Sequence, residues 1–272
     1  MQTVAIVGLG LMGGSLGQAL RRTGRYRVIG IARKSSTLRQ AKRLKAIDWG
    51  SIHFSAVASA DIIVVATPVD DIVPTVQRIN RFKKPAAIMT DIGSVKSVIL
   101  NKVKNLKFVG GHPLAGSHKT GVQAARPDLY MTATCVLIPV GKTSLKPIKV
   151  LWQAVGARPI VMSAKNHDIA VGLISHLPHI IAHALVHSVM DHKDRKHLKL
   201  LLAGSFRDVT RVAASDPEQW RQILQSNIPA VRSAIRSFKK ELSKFEKNLS
   251  KPGLKKLLVQ SHLFRLPLFN EK

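Results

Sequence analysis

Val4-Ala5-Ile6-Val7-Gly8-Leu9-Gly10-Leu11-Met12-Gly13-Gly14 is the stretch that decides the fold of this chain. An apolar run typical of a buried strand enters a Gly-x-Gly-x-x-Gly turn, and an amphipathic helical pattern follows from about Leu11 to Arg22. In that context the first glycine makes the tight bend, the second lets the backbone approach a pyrophosphate, and the third lets the helix pack close to the sheet. The helix points its N-terminal amides at the phosphates. The predicted cofactor-binding residues of this turn are Gly8, Leu9, Gly10, Leu11, Met12 and Gly13.

The acidic residue that usually accompanies such a turn is missing. The first Asp or Glu of the chain is Asp48, whereas NAD enzymes place one about 20 residues beyond the turn, on the ribose. There the second predicted strand, 27–32, ends at Ala32 and runs into Arg33, Lys34, Ser35 and Ser36, whose cationic and hydroxyl groups can bind a phosphate. These residues favour NADP, which carries a 2′-phosphate, over NAD. A solvated basic face is the alternative, because ten Lys or Arg and no acid lie in residues 21–45.

Composition limits the class of protein. The 272 residues are 45% hydrophobic, which suits one large or two modest domains with a real core. Because no uninterrupted run of about 18 apolar residues occurs, we expect no membrane span, and because the N-terminus enters a strand at once, we expect no signal peptide. The single cysteine, Cys135, lies in an apolar run and should be a buried small residue. One cysteine fits a reducing cytoplasm.

The charge of the chain is unusual. It has 43 Lys and Arg against 15 Asp and Glu, a formal net charge of +28. Such a surface attracts polyanions. However, aromatic residues make up only 5% of the chain, no Cys/His finger occurs, and the basic residues are spread along the sequence. We therefore expect a compositional bias, and nucleic-acid binding is the minor alternative.

Strand and helix patterns alternate up to about residue 162. This βαβ rhythm predicts an α/β fold with a doubly wound, mostly parallel sheet, that is, a Rossmann dinucleotide-binding domain over residues 1–162. The stretches that follow have helical periodicity and no clear strand, which predicts an all-helical domain over residues 163–272. The predicted strands are 3–8, 27–32, 62–66, 86–91, 107–111, 134–138 and 158–162. The predicted helices are 11–22, 36–45, 69–82 and 94–104, followed by helical stretches at 166–190, 196–202, 217–224 and 228–249.

Three loops should meet at the carboxyl edge of this sheet, where the nicotinamide half of a cofactor rests. The first contains Thr67 and Pro68, which we expect to contact the cofactor, and the second contains Ser94. The third contains His112, and an imidazole at such a strand end is a natural general base. The sequence therefore predicts an active site in a cleft between the sheet domain and the helical domain.

With these segments in view, the chain resembles the prephenate dehydrogenase family and the closely related arogenate dehydrogenases. The matching segments occur in family order over both domains. They are 8–14, 91–96 (Asp-Ile-Gly-Ser-Val-Lys), 110–117, His167-Asp168, 175–179 (Ser-His-Leu-Pro-His) and 206–220. The resemblance implies an oxidative decarboxylation in tyrosine biosynthesis. The ring carbon that bears the hydroxyl gives hydride to the nicotinamide, the ring carboxylate leaves as carbon dioxide, and the ring becomes aromatic.

The resemblance also implies roles for single residues. His112 would accept the hydrogen bond or proton of the ring hydroxyl, Ser94 would lie beside it, and Arg211 would hold a substrate carboxylate. His176 and His179 would line the pocket from the helical domain. The expected catalytic residues are thus His112 and Ser94, and the expected substrate-binding residues are Arg211, His176, His179, Ser175 and Gly204. Family members pair through their helical domain, so a homodimer is expected.

The substrate and some local features stay open. Prephenate and arogenate differ only in a keto or amino side chain; His179 favours prephenate, whereas NADP-linked members are frequently arogenate enzymes. His118 stands where family members often carry Glu, which puts the gating role of that position in doubt. His176, His179, His183 and His187 share one helix face, but no metal is expected because the family uses none.

Two more distant functions remain as alternatives. A β-hydroxyacid dehydrogenase shares the glycine turn and a helical second domain, but Lys165 lies too early for a confident match to its catalytic lysine. A basic nucleotide-binding or nucleic-acid-binding protein without catalysis belongs to a different class. Replacement of His112 by Asn separates these functions, because only the enzyme loses turnover while cofactor binding stays intact.

Overall fold

The fold is taken from a computed structural model, which describes residues 1–117 and 119–269. Strands and helices alternate in the first part of the chain. The strands are β1 (Gln2–Val7), β2 (Tyr26–Ile31), β3 (Trp49–Ser51), β4 (Ile62–Val65), β5 (Ile88–Asp91), β6 (Phe108–Pro113), β7 (Thr134–Pro139) and β8 (Arg158–Val161). The helices between them are α1 (Leu11–Arg22), α2 (Ser35–Arg43), α3 (Val69–Ile79), α4 (Ser97–Lys102) and α5 (Lys146–Ala154).

The strands form one eight-stranded sheet in the order β3-β2-β1-β4-β5-β6-β7-β8. Every neighbouring pair is parallel except β6 and β7, which are antiparallel. The chain starts in the middle of the sheet and the order reverses beside β1, so the carboxyl ends of β1 and β4 open a crevice. The predicted Rossmann fold is therefore confirmed.

Helices cover both faces of this sheet. The four consecutive apolar residues of β1, Val4 to Val7, are each at most 3% exposed, as expected for a strand with a packed layer on either side. Val4 and Ile6 belong to one apolar cluster, with Leu16 and Leu20 of α1, while Ala5 and Val7 belong to the other. The first layer fixes α1 against the sheet and so fixes the glycine turn that precedes it.

One strand and one α-helix of this part were not predicted, and one predicted helix begins later than expected. β3 has only three residues, too few for an alternating pattern, and it pairs with β2 at the sheet edge. The nine-residue α5 lies between β7 and β8, where no helix was predicted. Helix α4 begins at Ser97, after the predicted start at Ser94, so the segment 92–96 is a loop with an irregular backbone at the carboxyl edge of the sheet.

The second part of the chain is helical, as predicted. Its elements are α6 (Ala164–Val171), a π-helical turn (Gly172–His176), α7 (Leu177–Met190), α8 (Arg195–Leu200), α9 (Gly204–Thr210), a 3-10 turn (Arg211–Ala214), α10 (Pro217–Ser226), α11 (Ile228–Asn248) and α12 (Gly253–Arg265). The π turn joins α6 and α7 into one continuous helix of 27 residues, Ala164–Met190. Such turns are often found at functional sites.

The expectation of no membrane span stays a prediction, although one helix has the length and composition of a span. Ala164–Met190 is long and apolar enough by length and composition alone, with a mean hydropathy of 1.7 over its best window. The sequence test missed it because it required an uninterrupted apolar run. The first turns of this helix bury the polar side chains of His167 and Asp168, and α6 packs against α4 of the sheet domain. These contacts are those of a helix packed within a folded protein.

Candidate active site

The glycine turn between β1 and α1 has the shape of a phosphate cradle. Gly8 has a φ of +102°, which disfavours any residue with a side chain. A Cβ atom on Gly13 would collide with the carbonyl oxygen of Gly8, whereas a Cβ on Gly10 would meet nothing within 4 Å. No side chain caps α1, and its first turn contains no acidic residue. The turn therefore leaves open space at Gly10 and backbone amides that suit a pyrophosphate.

Side chains from elsewhere hold this turn in place. The Tyr130 hydroxyl donates to the carbonyl oxygen of Met12 at 2.7 Å, and the Arg126 amide donates to Ser15 Oγ at 2.9 Å. Tyr130 is fully buried. Neither contact was predicted, because nothing in the sequence links residues more than a hundred positions apart.

The predicted nicotinamide side also fits a cofactor. Thr67 follows β4, and Pro68 directly precedes α3. The Thr67 hydroxyl is buried and has no hydrogen-bond partner within the described residues. A buried hydroxyl without a partner carries a free-energy cost that a bound ligand relieves. Together with the space at Gly10, it shows that the residues present fit a bound dinucleotide.

The region beyond β2 is basic and exposed. Arg33 and Lys34 lie just after the strand, and Ser35 and Ser36 begin α2; all four are exposed. The first carboxylate of the chain is engaged elsewhere, because Asp48 accepts hydrogen bonds from the Val28 amide and Arg21 Nε, both at 2.7 Å. Asp48 therefore anchors the backbone of β2 and has a structural role.

A buried ion pair joins the ends of β5 and β6. Lys96 and Asp91 are ion-paired and have no exposed side-chain surface. Lys96 Nζ also donates to the Gly111 carbonyl at 2.8 Å, and Asp91 accepts from the Gly111 amide at 3.1 Å. Both residues lie in a segment that carried the family resemblance, but the sequence reading assigned them no role. They hold the backbone immediately before His112.

His112 is the first member of a chain of hydrogen bonds that crosses between the domains. Its Nδ1 lies 2.8 Å from Nε2 of His167, and Nδ1 of His167 lies 2.8 Å from Oδ1 of Asp168. The Asp168 carboxylate also accepts from the backbone amides of Lys96 and Ser97, each at 2.8 Å. His167 and Asp168 were noted in the sequence only as a motif, and their contact with His112 was not foreseen.

Ser94 is not part of the hydrogen-bond chain formed by His112, His167 and Asp168. It is half-buried in the loop before α4, and the described residues show no hydrogen bond between its hydroxyl and His112. The protein group that contacts the His112 imidazole is His167. A contact of Ser94 with substrate or cofactor stays a prediction.

The helical domain brings three of the expected substrate-binding residues, His179, Ser175 and Arg211, near one another. His179 stacks on Trp220, with ring centroids 3.3 Å apart, and its Nδ1 lies 3.0 Å from the Ser175 carbonyl. Arg211 begins the 3-10 turn and is exposed, and its charge acts on His179. Gly204 begins α9, where a Cβ atom would meet nothing within 4 Å.

His176 is the buried member of this group. Its Nδ1 lies 3.2 Å from Nδ2 of Asn227, which also donates to the Asp168 carbonyl at 2.8 Å. Asn227 and Trp220 were not predicted, although Trp220 lies in a segment that carried the resemblance. An isolated amide or indole has no local sequence signal that marks it as a contact of a buried histidine.

Burial lowers the pKa of three histidines of this site, His112, His176 and His179. Burial, with the positive charge of Lys96 and the neighbouring His167 and His176, lowers the pKa of His112 well below its ordinary value of 6.5. Burial lowers the pKa of His176 to about 4. It also lowers the pKa of His179, to which His183 and Arg211 contribute. His112 is therefore unprotonated at neutral pH and able to accept a proton.

At Asp168, hydrogen bonds affect the pKa more than burial does. Burial raises the pKa of its carboxyl group, but hydrogen bonds from His167 and Ser97 and from the Lys96 amide outweigh burial, so the net pKa lies below its ordinary value. Asp168 is a carboxylate at neutral pH.

The remaining histidines add no metal centre to the described part of the chain. There, no group of three or more His, Cys, Asp or Glu side chains is arranged to hold a metal ion. His183 is half-buried and His187 is exposed on α7. His118, the residue at the expected position of a family Glu, lies outside the described residues.

A phosphate cradle, a neutral histidine at the carboxyl edge of the sheet and an exposed arginine near His179 in a helical domain define a two-domain nicotinamide-dependent dehydrogenase. Family models agree: that of the prephenate dehydrogenase nucleotide-binding domain matches residues 16–161, and that of the prephenate dehydrogenase dimerization domain matches residues 163–260.

Known proteins place the chain in the same family. The prephenate dehydrogenase of Bacillus subtilis is 34% identical over 256 residues, 89% of this chain and 68% of that protein. The crystal structure of prephenate dehydrogenase from A. aeolicus, in complex with hydroxyphenyl propionate and NAD+, matches with a TM-score of 0.93 and 34% identity over 99% of each chain. Synechocystis arogenate dehydrogenase matches with a TM-score of 0.87 and 30% identity, over 98% of this chain and 100% of that one. This chain belongs to the prephenate dehydrogenase family and is an NAD(P)-dependent oxidoreductase.

Proposed function

We propose that this enzyme converts prephenate to 4-hydroxyphenylpyruvate by oxidative decarboxylation, with His112 as the group that accepts the proton of the ring hydroxyl. The observation that carries the proposal is the neutral, half-buried His112 at the carboxyl edge of the sheet, hydrogen-bonded to the helical domain that carries His176, His179 and Arg211. The family supports the same reaction.

The reaction asks for few groups. When bound, the nicotinamide ring supplies the acceptor for the hydride. His112 draws the proton from the hydroxyl, so that charge builds on the oxygen as hydride leaves the ring carbon. Arg211 holds a substrate carboxylate, and Ser94 orients the hydroxyl. A cation that neutralised the departing carboxylate would oppose loss of carbon dioxide, so Arg211 is assigned to the carboxylate of the side chain.

The histidine network also gives a specific reason to keep arogenate as a second candidate. Nδ1 of His179 can only donate to the Ser175 carbonyl, so in a neutral ring Nε2 carries a lone pair, which suits the ammonium of arogenate. His176 has the opposite polarity, because its Nδ1 accepts from Asn227 and its Nε2 then carries a hydrogen, which suits the keto group of prephenate. We choose prephenate because two relatives that are 34% identical over 89% and 92% of this chain are named prephenate dehydrogenases.

We propose NADP as the preferred cofactor. Its support is the exposed Arg33 directly after β2, the hydroxyls of Ser35 and Ser36, and the engagement of Asp48 with the β2 backbone. The A. aeolicus relative was crystallised with NAD+, so the two cofactors have to be compared directly. A variant with a matched control therefore tests the preference for NADP. Arg33→Ala should raise the KM for NADP about tenfold and leave that for NAD unchanged, since one charge-assisted contact contributes about 1.5–3 kcal/mol, while Arg39→Ala, on the exposed surface of α2, should change neither.

One experiment tests the reaction, the substrate and the cofactor together. Reduction of the nicotinamide is followed with each pairing of NAD or NADP with prephenate or arogenate. We expect the highest kcat/KM with prephenate and NADP. Higher kcat/KM with arogenate would establish the second candidate, stronger use of NAD would refute the cofactor preference, and no turnover with either substrate would refute the function.

We also propose a cytoplasmic homodimer, with a domain boundary at residues 162 and 163 and the helical domain as both the substrate-binding and the dimerising unit. The dimerization-domain match supports this. So do large apolar side chains left exposed on the helical domain, including Ile169, Leu173, Ile174, Leu263 and Phe264. Large apolar side chains left in solvent suit a surface that another subunit covers.

A further inference from the structure

We propose that His167 and Asp168 form a positioning pair that sets the tautomer of His112, so that the proton of the free enzyme lies on Nδ1 and the lone pair on Nε2 faces the reaction. The link to turnover rests on the proposed function. The tautomer itself is a property of the free protein.

The argument starts at Asp168. Its two carboxylate oxygens accept from the backbone amides of Lys96 and Ser97, and Oδ1 also lies 2.8 Å from Nδ1 of His167. An ionised carboxylate can only accept hydrogen bonds. Nδ1 of His167 must therefore be the donor and carry a hydrogen.

The next step passes along the His167 ring. A neutral imidazole carries one hydrogen, so a hydrogen on Nδ1 leaves a lone pair on Nε2. That Nε2 lies 2.8 Å from Nδ1 of His112. Two lone pairs at this distance would repel, and hence the hydrogen lies on Nδ1 of His112. The other ring nitrogen of His112, Nε2, is left as the acceptor.

Burial of His167 favours this arrangement over its reverse. The reverse needs His167 as an imidazolium, which would donate from both nitrogens and move the hydrogen of His112 to Nε2, where it blocks the base. The titratable groups that face His112 are Lys96, His167, His176 and Asp168. Of these, His167 is fully buried, so a second hydrogen on its ring would place an additional charge in the protein interior, which costs free energy.

The same contact assists the reaction. When the substrate O–H bond breaks, the proton forms an N–H bond at Nε2 of His112, and the electron pair stays on the oxygen. His112 becomes an imidazolium, and its Nδ1–H becomes a stronger, charge-assisted donor to His167. His167 touches neither substrate nor cofactor in this scheme, so it acts by positioning His112. Because His167 and Asp168 belong to α6 and His112 to β6, the base is set only when the helical domain is docked on the sheet.

Two His–Asp pairs, one buried and one exposed, make a matched experiment possible. His197 and Asp194 form a second His–Asp pair, 2.6 Å apart, which is exposed on the helical domain. We compare His167→Phe, which removes the acceptor, with His197→Phe, which removes the exposed pair, and with His167→Gln, whose amide retains a donor and an acceptor. Ring nitrogens are observed by 15N NMR of histidine-labelled protein at neutral pH, and the His112 signals are assigned by their loss in His112→Asn.

We expect the wild-type His112 to carry its hydrogen on Nδ1. In His167→Phe this preference should disappear and kcat should fall about 10–100-fold, part of the about 10²–10⁴-fold that a general base contributes, while the KM values change little. His167→Gln should restore the tautomer and part of kcat, and His197→Phe should match the wild type. If His167→Phe does not fold, the tautomer of His112 measured in the wild type and in His167→Gln still tests the proposal.

A hydrogen on Nε2 of His112 in the wild type would overturn the proposal. So would retention of both tautomer and kcat in His167→Phe, or a loss that appears in KM alone. The failure of the proposed function is a different result: the tautomer pattern would hold across the variants, but neither prephenate nor arogenate would be turned over.

Discussion

At the scale of single residues, burial and neighbouring charge decide what His112 can do. A solvated imidazole is partly protonated near neutral pH, whereas burial, Lys96 and the neighbouring histidines lower the pKa of His112 well below 6.5. Its neutral form is the one that accepts a proton. The group is therefore available as a base throughout the range in which an exposed histidine titrates.

The pH dependence of the reaction follows from this shift. Because the folded-state pKa of His112 is lowered, activity requires the neutral form and should be lost only as the pH falls through that lowered value. We expect the acid limb of log kcat/KM, which reports the free enzyme, to lie clearly below 6.5. An acid limb at or above 6.5 that disappears in His112→Asn would contradict this prediction.

The buried pair of Lys96 and Asp91 predicts a large effect on stability. Lys96→Met leaves a fully buried carboxylate without its partner, which typically costs about 3–5 kcal/mol. Lys84 provides the control, since its pair with Asp61 has both side chains 37% exposed, and Lys84→Met should cost only about 0–1 kcal/mol. The free energies of unfolding come from urea titration. Equal losses of unfolding free energy in the two variants would show that the buried pair contributes no more to stability than the exposed one.

At the scale of elements, the turn between β1 and α1 separates two uses of glycine. Gly13 is required by packing, because a Cβ would strike the Gly8 carbonyl, while the space beside Gly10 is open. We therefore assign Gly13 to the fold and predict that Gly10 serves the cofactor. The identical motif letters do not distinguish them.

Two alanine variants test this separation. Gly10→Ala should leave the thermal unfolding temperature near that of the wild type and weaken cofactor binding at least about tenfold, because its methyl group would occupy the approach to the pyrophosphate. Gly13→Ala should lower the unfolding temperature, as overpacking costs about 1–3 kcal/mol. Calorimetry and fluorescence titration with NADP measure the two quantities. Unchanged cofactor affinity in Gly10→Ala would refute the assignment of the pyrophosphate to this turn.

The elements could be predicted to the extent that their signals are local. The glycine turn, the amphipathic α1 and the apolar strands carry periodic patterns, and each was found close to its observed bounds. β3 was missed because three residues cannot show a period. The π turn at Gly172–His176 was missed because it depends on contacts of this helix with α11. The expected start of α4 was too early for a similar reason, since Asp168 of the other domain binds the amides of Lys96 and Ser97.

At the scale of the whole molecule, the helix Ala164–Met190 joins the active site to an exposed apolar surface. One face carries His167, Asp168 and His176, which are buried, and another carries Leu173 and Ile174, which are 52% and 64% exposed. A partner subunit is the cover that the dimerization-domain match supports. Assembly and catalysis would then depend on the same helix.

A charge on this surface tests the proposed dimer. Ile174→Glu should give a monomer in size-exclusion chromatography with light scattering, because a carboxylate would be buried without a partner at the interface. Val150→Glu is the control, since Val150 is 44% exposed on α5 of the sheet domain, and it should leave the mass unchanged. A dimer in Ile174→Glu would show that the interface lies elsewhere. A monomer in the wild type would refute the proposed dimer.

By itself, the sequence determined the Rossmann domain, the helical domain and the lack of a carboxylate directly after β2, because strand period, helix period and the conformational needs of glycine act over a few neighbouring residues. It also pointed to His112 through the position of a strand end. Only the tertiary structure decided that His112 meets His167, 55 residues later in the chain, that Lys96 and Asp91 lie behind it, and that Trp220 stacks on His179. Those contacts arise where elements far apart in the sequence pack together, and the hydrophobic patterns that drive such packing specify buried faces without specifying which side chains touch.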